Sequence, residues 1–316
     1  MTKTRDRRIL YKKIGMKAVW TFLRLVFIGG ICFVILYPLF TKIMSGLMDV
    51  SDVYDSTIRY LPKNYTLDNI KTAMSLLEYP AALYNTIGVV ALISLVHVLA
   101  CTLVAYGFAR YAFPGRNLLF MLVLFALVIP PDVLMVPYYL MFRNFGLGGL
   151  IPLLFGKDLI LTDTVWPQLL LGVTCTGLKN GIYVFIMRQH FMGVPKELEE
   201  AAYVDGAGSL KTLFRVILPG AVGMMVTVFL FSFVWQWLDA TYTPVLCANM
   251  SIVPTTVGNL SNPLAGMQGT SDSSLMLSAS LVKNAGIILV IAPLLVLYLV
   301  AQKFFVQSVE RSGLVG

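Results

Sequence analysis

The chain has 316 residues, of which 58% are hydrophobic and only 13% are charged, and its formal net charge is +8. An average soluble domain has about 25% charged residues, so this composition excludes a disordered chain and a small disulfide-built protein and argues strongly against a large soluble enzyme. With a mean hydropathy of +0.79, the chain is typical of a multi-span membrane protein, in which a basic balance marks cytoplasmic loops and not nucleic-acid binding.

Six apolar stretches are long enough to cross a bilayer as helices, which takes roughly 20 mostly apolar residues. In chain order they cover residues 19–44, 83–109, 118–142, 165–188, 220–242 and 281–304. Pro130 and Pro131 lie inside the third stretch and predict a kink or a break there. Polar residues interrupt the fourth. The sequence therefore predicts an all-α, polytopic membrane protein with six transmembrane helices.

Positive charge gives the orientation of these spans. Lys and Arg residues concentrate in the arm 1–18, in the turn after the second stretch, in the segment after the fourth and in the C-terminal tail. These segments alternate onto one face, which we assign to the cytoplasm, so both termini are predicted to be cytoplasmic. The domain organisation that follows is a cytoplasmic arm over residues 1–18 and a single transmembrane domain over residues 19–316.

Two external segments are long, residues 47–82 and 244–280. Loops beyond about 12–15 residues are usually functional or disordered. In the first, the run Thr66-Leu67-Asp68 predicts the start of a short helix. The second is rich in Gly, Ser, Asn and Pro, and we interpret it as a partner-docking or gating loop, with a disordered loop as the alternative.

Residues 194–219 form the most informative segment of the predicted cytoplasmic face. Pro195 suits a first helical position, and the run from Glu197 is a strong helix former with acidic residues in its first turn. Gly206 and Gly208 are expected to end that helix. A second, amphipathic helix is predicted to begin at Ser209 and to end before a proline at position 219.

Within this segment, Glu200-Ala201-Ala202, Gly206 and Leu218-Pro219 resemble the EAA signature of the permease subunits of binding-protein-dependent ABC importers. Val216 stands where the signature has isoleucine, and the C-terminal tail lacks the usual Lys-Gly ending. The resemblance covers most of the chain and is strongest to the carbohydrate branch, in particular to the second permease of maltose-type importers. Further matching stretches are residues 62–70, 85–86, 105–110, 113–116, 129–130, 136–137, 187–189 and 302–306.

The resemblance implies that this segment couples the spans to an ATPase subunit, in whose cleft it seats. Small residues would allow close approach, and an acidic residue would form a charge-assisted contact. The residues implied in coupling are Glu200, Ala201, Ala202, Asp205, Gly206, Gly208, Leu218 and Pro219. The alternative is an amphipathic helix lying on lipid headgroups, but its acidic cluster fits an anionic leaflet poorly.

The resemblance also implies the partners and the location of the chain. These are a second homologous permease subunit, two ATPase subunits, an extracytoplasmic solute-binding protein and the lipid of a bacterial inner membrane. ATP and magnesium would be bound by the ATPase subunits. Residues 206–212 lack the Gly-Lys pair of a nucleotide-binding loop, and the two histidines and four cysteines are not spaced as metal ligands, so we expect no cofactor on this chain and no enzymatic activity of its own.

Polar residues inside the apolar stretches are costly in a bilayer and usually face a bundle interior or a transport pathway. The candidates for the substrate pathway are Asn85, Asp132, Lys179, Asn180, Trp235, Gln236, Asp239 and Asn284. An aromatic ring beside amide and acid groups suits a sugar, whose C–H face stacks while its hydroxyls form hydrogen bonds. Interhelical hydrogen bonding is the alternative for each of them, and for His97 it is the preferred interpretation.

Lys179 is predicted near the middle of the fourth span, where a lysine costs about 2.5–3.5 kcal/mol unless it is paired or faces water. We expect it to face the pathway and to pair with Asp239 or Asp132 when the site is empty. A snorkelling lysine at the outer interface is the alternative.

These observations favour a permease subunit of an ABC importer for carbohydrate, in particular oligosaccharide. One alternative is an importer for another solute, such as a polyamine or a phosphonate, because the EAA segment does not separate these substrates. The other is a secondary transporter or channel that needs no ATPase.

Overall fold

The structure, a computed structural model, describes residues 2–58, 60–260 and 273–313. Within these residues the regular secondary structure is helical, and strand-like pairing is limited to two isolated bridges, Met48 with Tyr65 and Phe145 with Leu159. The helices are α1 (Thr2–Gly46), α2 (Val50–Val53), α3 (Asp68–Leu76), α4 (Tyr79–Arg110), α5 (Arg116–Phe125), α6 (Pro131–Arg143), a 3-10 turn (Leu147–Gly149), α7 (Leu150–Phe155), α8 (Trp166–Val173), α9 (Asn180–Gly193), α10 (Glu197–Val204), α11 (Ser209–Thr212), a π-turn (Leu213–Ile217), α12 (Leu218–Trp237), α13 (Thr243–Leu246), α14 (Val253–Asn259) and α15 (Ser273–Gly313).

Four helical stretches in the described part are long and apolar enough to cross a membrane: Val19–Gly46, Tyr79–Arg110, Ser209–Trp237 and Ser278–Gln302. They correspond to the first, second, fifth and sixth predicted spans. The third and fourth predicted spans are each divided into two helices that are too short to cross a bilayer alone.

The break in the third predicted span lies where the two prolines predict it. Helix α5 ends at Phe125 and α6 begins at Pro131. Pro130 immediately precedes α6 with an extended backbone (φ −59°, ψ 130°), because a residue before a proline avoids the helical region. In the fourth span the break covers residues 174–179, where Cys175 and Lys179 have left-handed φ values of 54° and 61°.

The prediction that the second helix of the EAA segment ends before Pro219 is wrong. The chain stays helical from Ser209 to Trp237, and the stretch Leu213–Ile217 widens into a π-turn in which the N–H of Leu218 donates to the carbonyl of Leu213. A proline inside an α-helix clashes with the carbonyl four residues earlier. The wider turn just before Pro219 accommodates the ring, which takes the second position of α12.

The prediction that the fifth span extends to residue 242 is also wrong, because α12 ends at Trp237. The carboxylate of Asp239 accepts hydrogen bonds from the backbone N–H groups of Thr241 (2.9 Å), Tyr242 (3.1 Å) and Thr243 (2.8 Å). An Asp side chain that accepts from N–H groups two to four residues ahead favours a turn over a continuing helix.

The chain forms two compact units, residues 1–73 with 262–289, and residues 74–261 with 290–316. In the first unit, the predicted short helix is confirmed as α3, and Thr66 Oγ1 accepts from the N–H of Asp68 at its start (3.1 Å). Buried Asp52 accepts from the backbone N–H groups of Lys63 and Asn64, each at 2.7 Å, and so closes the loop before α3.

The core of the second unit lies where α4, α9 and α12 pack together. Small and large apolar side chains interdigitate there, and its buried members are Val98, Cys101, Ala105, Tyr106, Tyr183, Val184, Met187, Phe191, Leu213, Ile217, Ala221 and Val228. Two of these buried residues, Leu213 and Ile217, belong to the π-turn. The EAA segment is therefore attached directly to the core of this unit.

Candidate functional site

The EAA segment folds as α10, a glycine turn and α11. Gly206 adopts a φ of +78°, a left-handed conformation that glycine takes without strain. The N–H of Ala207 donates to the carbonyl of Ala202 (2.9 Å) and so closes the end of α10. Gly208 is extended (φ −75°, ψ 166°) and directly precedes α11. The predicted arrangement of two helices joined by a glycine turn is confirmed as local structure.

Helix α10 has a buried face and an exposed face. Glu199 and Ala202 are buried, and their spacing of three residues places them on one side of the helix. Glu200, Ala201 and Asp205 are exposed. Three of the residues implied in coupling therefore face away from the unit, while the acidic residue just before them faces inward.

A buried ion pair fixes the inward face of α10 to the end of α4. Arg110 Nε lies 3.0 Å from Glu199 Oε1, and the two side chains are only 5% and 11% exposed. Tyr106 OH donates to the same carboxylate oxygen (3.4 Å), and Arg110 Nη2 donates to the carbonyl of Val194 (2.6 Å). The sequence alone does not predict this pair, because Arg110 and Glu199 are far apart in the chain.

The outward side of the EAA segment exposes large apolar side chains, which the sequence did not predict. Val204 is 87% exposed, Leu210 72% and Phe214 59%. A methyl group added at Gly206 or Gly208 would meet nothing within 4 Å, so the space beside the turn is open. We call Leu198, Glu200, Val204, Asp205 and Leu210 the coupling surface. Exposed apolar side chains beside acidic ones are typical of an interaction site.

Two of the pathway candidates, Gln236 and Asp239, meet in a buried polar cluster that also contains Gln168 and Thr243. Thr243 Oγ1 donates to Asp239 Oδ2 (2.7 Å) and accepts from the side-chain amides of Gln168 and Gln236, each at 3.2 Å. Both glutamine Oε1 atoms are buried and have no hydrogen-bond partner within the described residues. Gln168 was missed, although a glutamine in the apolar run 165–173 was a readable signal.

Trp235 and Asn180 pack into the helix bundle. The Trp235 ring stacks on Tyr183, with ring centroids 5.8 Å apart, and on Phe231 at 5.9 Å. Asn180 is buried and its side-chain amide donates to the carbonyl of Gly172 (3.4 Å). Both contacts are of the helix–helix kind, which was the alternative interpretation for these residues.

His97 also makes a helix–helix contact, as preferred from the sequence. Its Nδ1 lies 2.9 Å from Ser232 Oγ and the ring is buried. Cys101 and Cys175 are free thiols with sulfur atoms 3.7 Å apart. In the part of the chain that the structure describes, no three His, Cys, Asp or Glu side chains come together as metal ligands.

Asn85 is the pathway candidate that borders an open cleft, of about 560 Å³. Its side-chain amide donates to the carbonyl of Ser251 (3.3 Å). The cleft is lined by Tyr84, Asn85, Ile87, Gly88, Val89, Met250 and Ser251. With an exposed tyrosine beside an amide, it has the chemistry that suits a hydroxylated ligand.

The remaining three candidates are separate from these groups. In the first unit, Asn284 Oδ1 accepts from Lys42 Nζ (2.9 Å). Asp132 is exposed in the first turn of α6, and Lys179 is exposed at the residue before α9. The expected pair of Lys179 with Asp239 or Asp132 is not formed, and for Asp239 the reason is that its carboxylate is occupied by the N–H groups of its own turn.

The sequence of the chain is similar to a protein family model and to several known proteins. The family model described as "Binding-protein-dependent transport system inner membrane component" matches residues 98–311. The probable ABC transporter permease protein YurM of Bacillus subtilis is 27% identical over 316 residues, covering 99% of this chain and 93% of YurM. The osmoprotective compounds uptake permease protein GgtD of Synechocystis is 31% identical, covering 72% of this chain and 68% of GgtD.

Among solved structures, this chain is similar to a chain of a bacterial ABC transporter involved in the import of the acidic polysaccharide alginate. The TM-score is 0.69 and the sequence identity 21%, and the match covers 91% of this chain and 97% of that chain. The helical arrangement is therefore shared over nearly the whole length of both chains.

Proposed function

The chain belongs to the family of binding-protein-dependent transport system inner membrane components, and from this premise we propose that it is the permease subunit that imports carbohydrate, in particular oligosaccharide, coupled to ATP hydrolysis through its EAA segment. ABC transporter permeases are not catalytic themselves, since their partner subunits hydrolyse ATP. The observation that carries the coupling assignment is the coupling surface, which is exposed and partly apolar while the reverse side of the same helix is fixed by a buried ion pair.

The coupling step follows from this two-sided helix. An ATPase subunit would cover Val204 and Leu210 and pair with Glu200 by a charge-assisted contact. Movement of α10 would then pass through Glu199 and Arg110 to the end of α4, and through the π-turn to α12. Domain organisation as a single transmembrane domain over residues 19–316 is part of this proposal.

We propose a topology of six membrane crossings with both termini in the cytoplasm. The four long helices supply four crossings, and the divided pairs α5–α6 and α8–α9 supply the other two. Broken helices are tolerated at membrane depth where they are packed in protein or line a cavity, and α9 packs closely on α4.

Topology can be tested with single cysteines in a background where the four native cysteines are replaced by alanine. An impermeant thiol reagent is expected to label Asp55→Cys in intact cells, and Lys211→Cys only after permeabilisation. Lys211 is exposed and Asp55 is partly exposed, so the reagent can reach both positions and a difference in labelling reports the side of the membrane. Equal labelling of the two positions in intact cells contradicts the model. The second external segment, 244–280, lies partly outside the described residues.

Carbohydrate is favoured as the solute by the branch-specific stretches of the sequence and by the fold shared with the alginate importer. The cleft beside Asn85 offers an exposed tyrosine ring and an amide. The relative GgtD, named for osmoprotective compounds, supports a second candidate, an importer of small compatible solutes. Identifying the compound that the cognate solute-binding protein binds separates the two candidates. A sugar supports the first candidate, and a compatible solute supports the second.

The partners in this proposal are a second homologous permease, two ATPase subunits that bind ATP and magnesium, and an extracytoplasmic solute-binding protein, in a bacterial inner membrane. Transport into right-side-out vesicles, loaded with or without ATP, tests the class of transporter. Uptake that needs both ATP and the binding protein is expected, and uptake driven by an ion gradient alone would favour a secondary transporter.

Lys179 is retained as a pathway residue that meets an acidic or polar group of the solute. It is exposed in the left-handed turn before α9 and has no ion pair with another described residue. Lys179→Met is expected to lower uptake at least about tenfold if one charged contact is lost, with unchanged abundance in the membrane. Lys157→Met, at another exposed lysine, is the matched control. Normal uptake by Lys179→Met would show that the lysine is a bystander.

A further inference from the structure

Two arginines lie on one face of α5, near the start of the helix. Arg116 is the first residue of α5 and Phe120 lies four residues later, so both side chains are on one face of the helix. The guanidinium carbon of Arg188, from α9, sits 4.1 Å from the centroid of the Phe120 ring. Arg188 therefore lies against the face of α5 that also carries Arg116.

The aromatic support for Arg188 is itself firmly packed. The Phe120 ring lies 5.7 Å from that of Phe108 on α4 and 6.4 Å from that of Phe185 on α9, with the latter pair stacked at 18°. A guanidinium stacked on an aromatic face keeps its N–H groups directed to the sides. The Arg188 Nε is buried and has no hydrogen-bond partner in the described residues.

This pair of like charges has no counter-charge in the described part of the chain. The ion pairs there are Lys71 with Asp68 and Arg110 with Glu199, and Arg116 contacts only the carbonyl of Tyr111 by a side-chain hydrogen bond of 3.3 Å. Two arginines held together repel unless an anion lies between them. The planar fork of a guanidinium matches the oxygens of a phosphate in a bidentate manner.

The surface that continues from the arginines is apolar. Helix α5 has no buried residue, and its exposed large side chains are Leu118, Leu119, Met121, Leu122 and Phe125. Gly115, with φ +79°, precedes the helix without a side-chain cap, and the N-terminal end of a helix favours an anion. A basic end followed by an apolar side has the polarity of a phospholipid molecule.

We propose that Arg116 and Arg188 bind the phosphodiester headgroup of an anionic phospholipid, whose acyl chains lie along α5. The proposal rests on the proposed function in one respect, the assignment of this end of α5 to the cytoplasmic side, where the leaflet is rich in anionic lipids. The bound lipid bridges α5 and α9. Arg116 follows Arg110 by six residues, and Arg110 pairs with Glu199 of α10, so the lipid lies at the same end of the bundle as the EAA segment.

The test uses the full-length chain, purified in a mild detergent and stripped of lipid, without ATPase, nucleotide or solute. It is titrated with dioleoylphosphatidylglycerol or dioleoylphosphatidylcholine, with bound lipid counted by native mass spectrometry and the thermal midpoint recorded. The chain is expected to bind phosphatidylglycerol about tenfold more tightly than phosphatidylcholine, as loss of one charged hydrogen bond implies, and to gain thermal stability only from the former.

The variant Arg116→Gln/Arg188→Gln is expected to lose that preference, whereas Lys211→Gln/Arg215→Gln, which removes the same charge from exposed residues of the neighbouring segment, keeps it. Because loss of Arg188 also removes the stacking on Phe120, Arg116→Gln alone serves as a second variant that leaves the stacking intact, and it is expected to lose most of the preference.

Three results would overturn the proposal. In the first, the double variant binds phosphatidylglycerol like the parent chain. In the second, glycerol phosphate or inorganic phosphate stabilises the parent chain as strongly as the lipid does, which identifies a small-anion site. In the third, the lipid preference is unchanged, but in a separate co-expression with the ATPase subunit the double variant no longer co-purifies with it, which identifies a protein-docking site. Since no transport is measured, each result is independent of whether the chain imports carbohydrate.

Discussion

Glu200→Lys abolishes solute uptake while the chain still inserts into the membrane; this is the expected result with the largest effect. Glu200 is exposed on α10 within the coupling surface and forms no ion pair with another of the residues that the structure describes. A carboxylate at this position would attract a basic group of the ATPase subunit, and a lysine there would repel it. Uptake by membrane vesicles supplied with ATP and binding protein measures the effect, and co-purification measures ATPase association.

The matched control is Glu78→Lys, the same reversal at an exposed glutamate directly before α4, at the end opposite Arg110. It is expected to leave uptake unchanged. Gly206→Pro is expected to behave like Glu200→Lys, because proline fixes φ near −65° and the turn needs +78°, whereas Gly206→Ala costs only about 1 kcal/mol. If uptake and ATPase association survive both Glu200→Lys and Gly206→Pro, the coupling assignment is wrong.

Arg110→Met is expected to lower the free energy of unfolding by about 3–5 kcal/mol, because it leaves the Glu199 carboxylate buried without its partner. Glu199→Met should cost a similar amount for the converse reason. The double variant Arg110→Met/Glu199→Met removes both charges and is expected to recover most of the stability. Thermal or denaturant unfolding of the purified chain, monitored by tryptophan fluorescence, measures all three.

Stimulation of ATP hydrolysis by the loaded binding protein separates an ion pair that transmits movement from one that only stabilises the fold. The double variant is expected to fold but to hydrolyse ATP, in complex with its partners, without stimulation by the loaded binding protein. Arg143→Met, at an exposed arginine that ends α6, is the control and should leave both stability and stimulation unchanged. A double variant that folds and remains fully stimulated would show that the ion pair has a structural role alone.

The parts of this fold that follow from sequence are those fixed by local chemistry. Long apolar runs specify α1, α4, α12 and α15, Pro130 with Pro131 specifies the break between α5 and α6, and Gly206 specifies the turn of the EAA segment. Each of these depends on residues that are neighbours in the chain. The EAA segment as a candidate site was found in the same way, since its signature is continuous in sequence.

The parts that do not follow depend on contacts between distant residues. The sequence shows three glutamates at 197, 199 and 200, but only Arg110, 89 residues away from Glu199, selects which of them turns inward. Likewise the stacking of Tyr183 on Trp235 joins two helices that are distant in the chain, so the sequence alone does not show it. From sequence, Pro219 predicts a helix end, because proline usually interrupts an α-helix. In the structure the π-turn before it accommodates the ring, and the helix continues.

The adjacent positions 199 and 200 therefore evolve under different constraints. A change at Glu199 is tolerated only with a compensating change at Arg110 in the same gene, because their pair is enclosed within one chain. If Glu200 contacts the ATPase subunit as we propose, a change at Glu200 would be compensated in a different gene, the one that encodes that subunit. Across related importers, position 199 should covary with position 110 of its own chain, and position 200 with a surface residue of the partner. Two adjacent residues of α10 are thus expected to show different patterns of covariation.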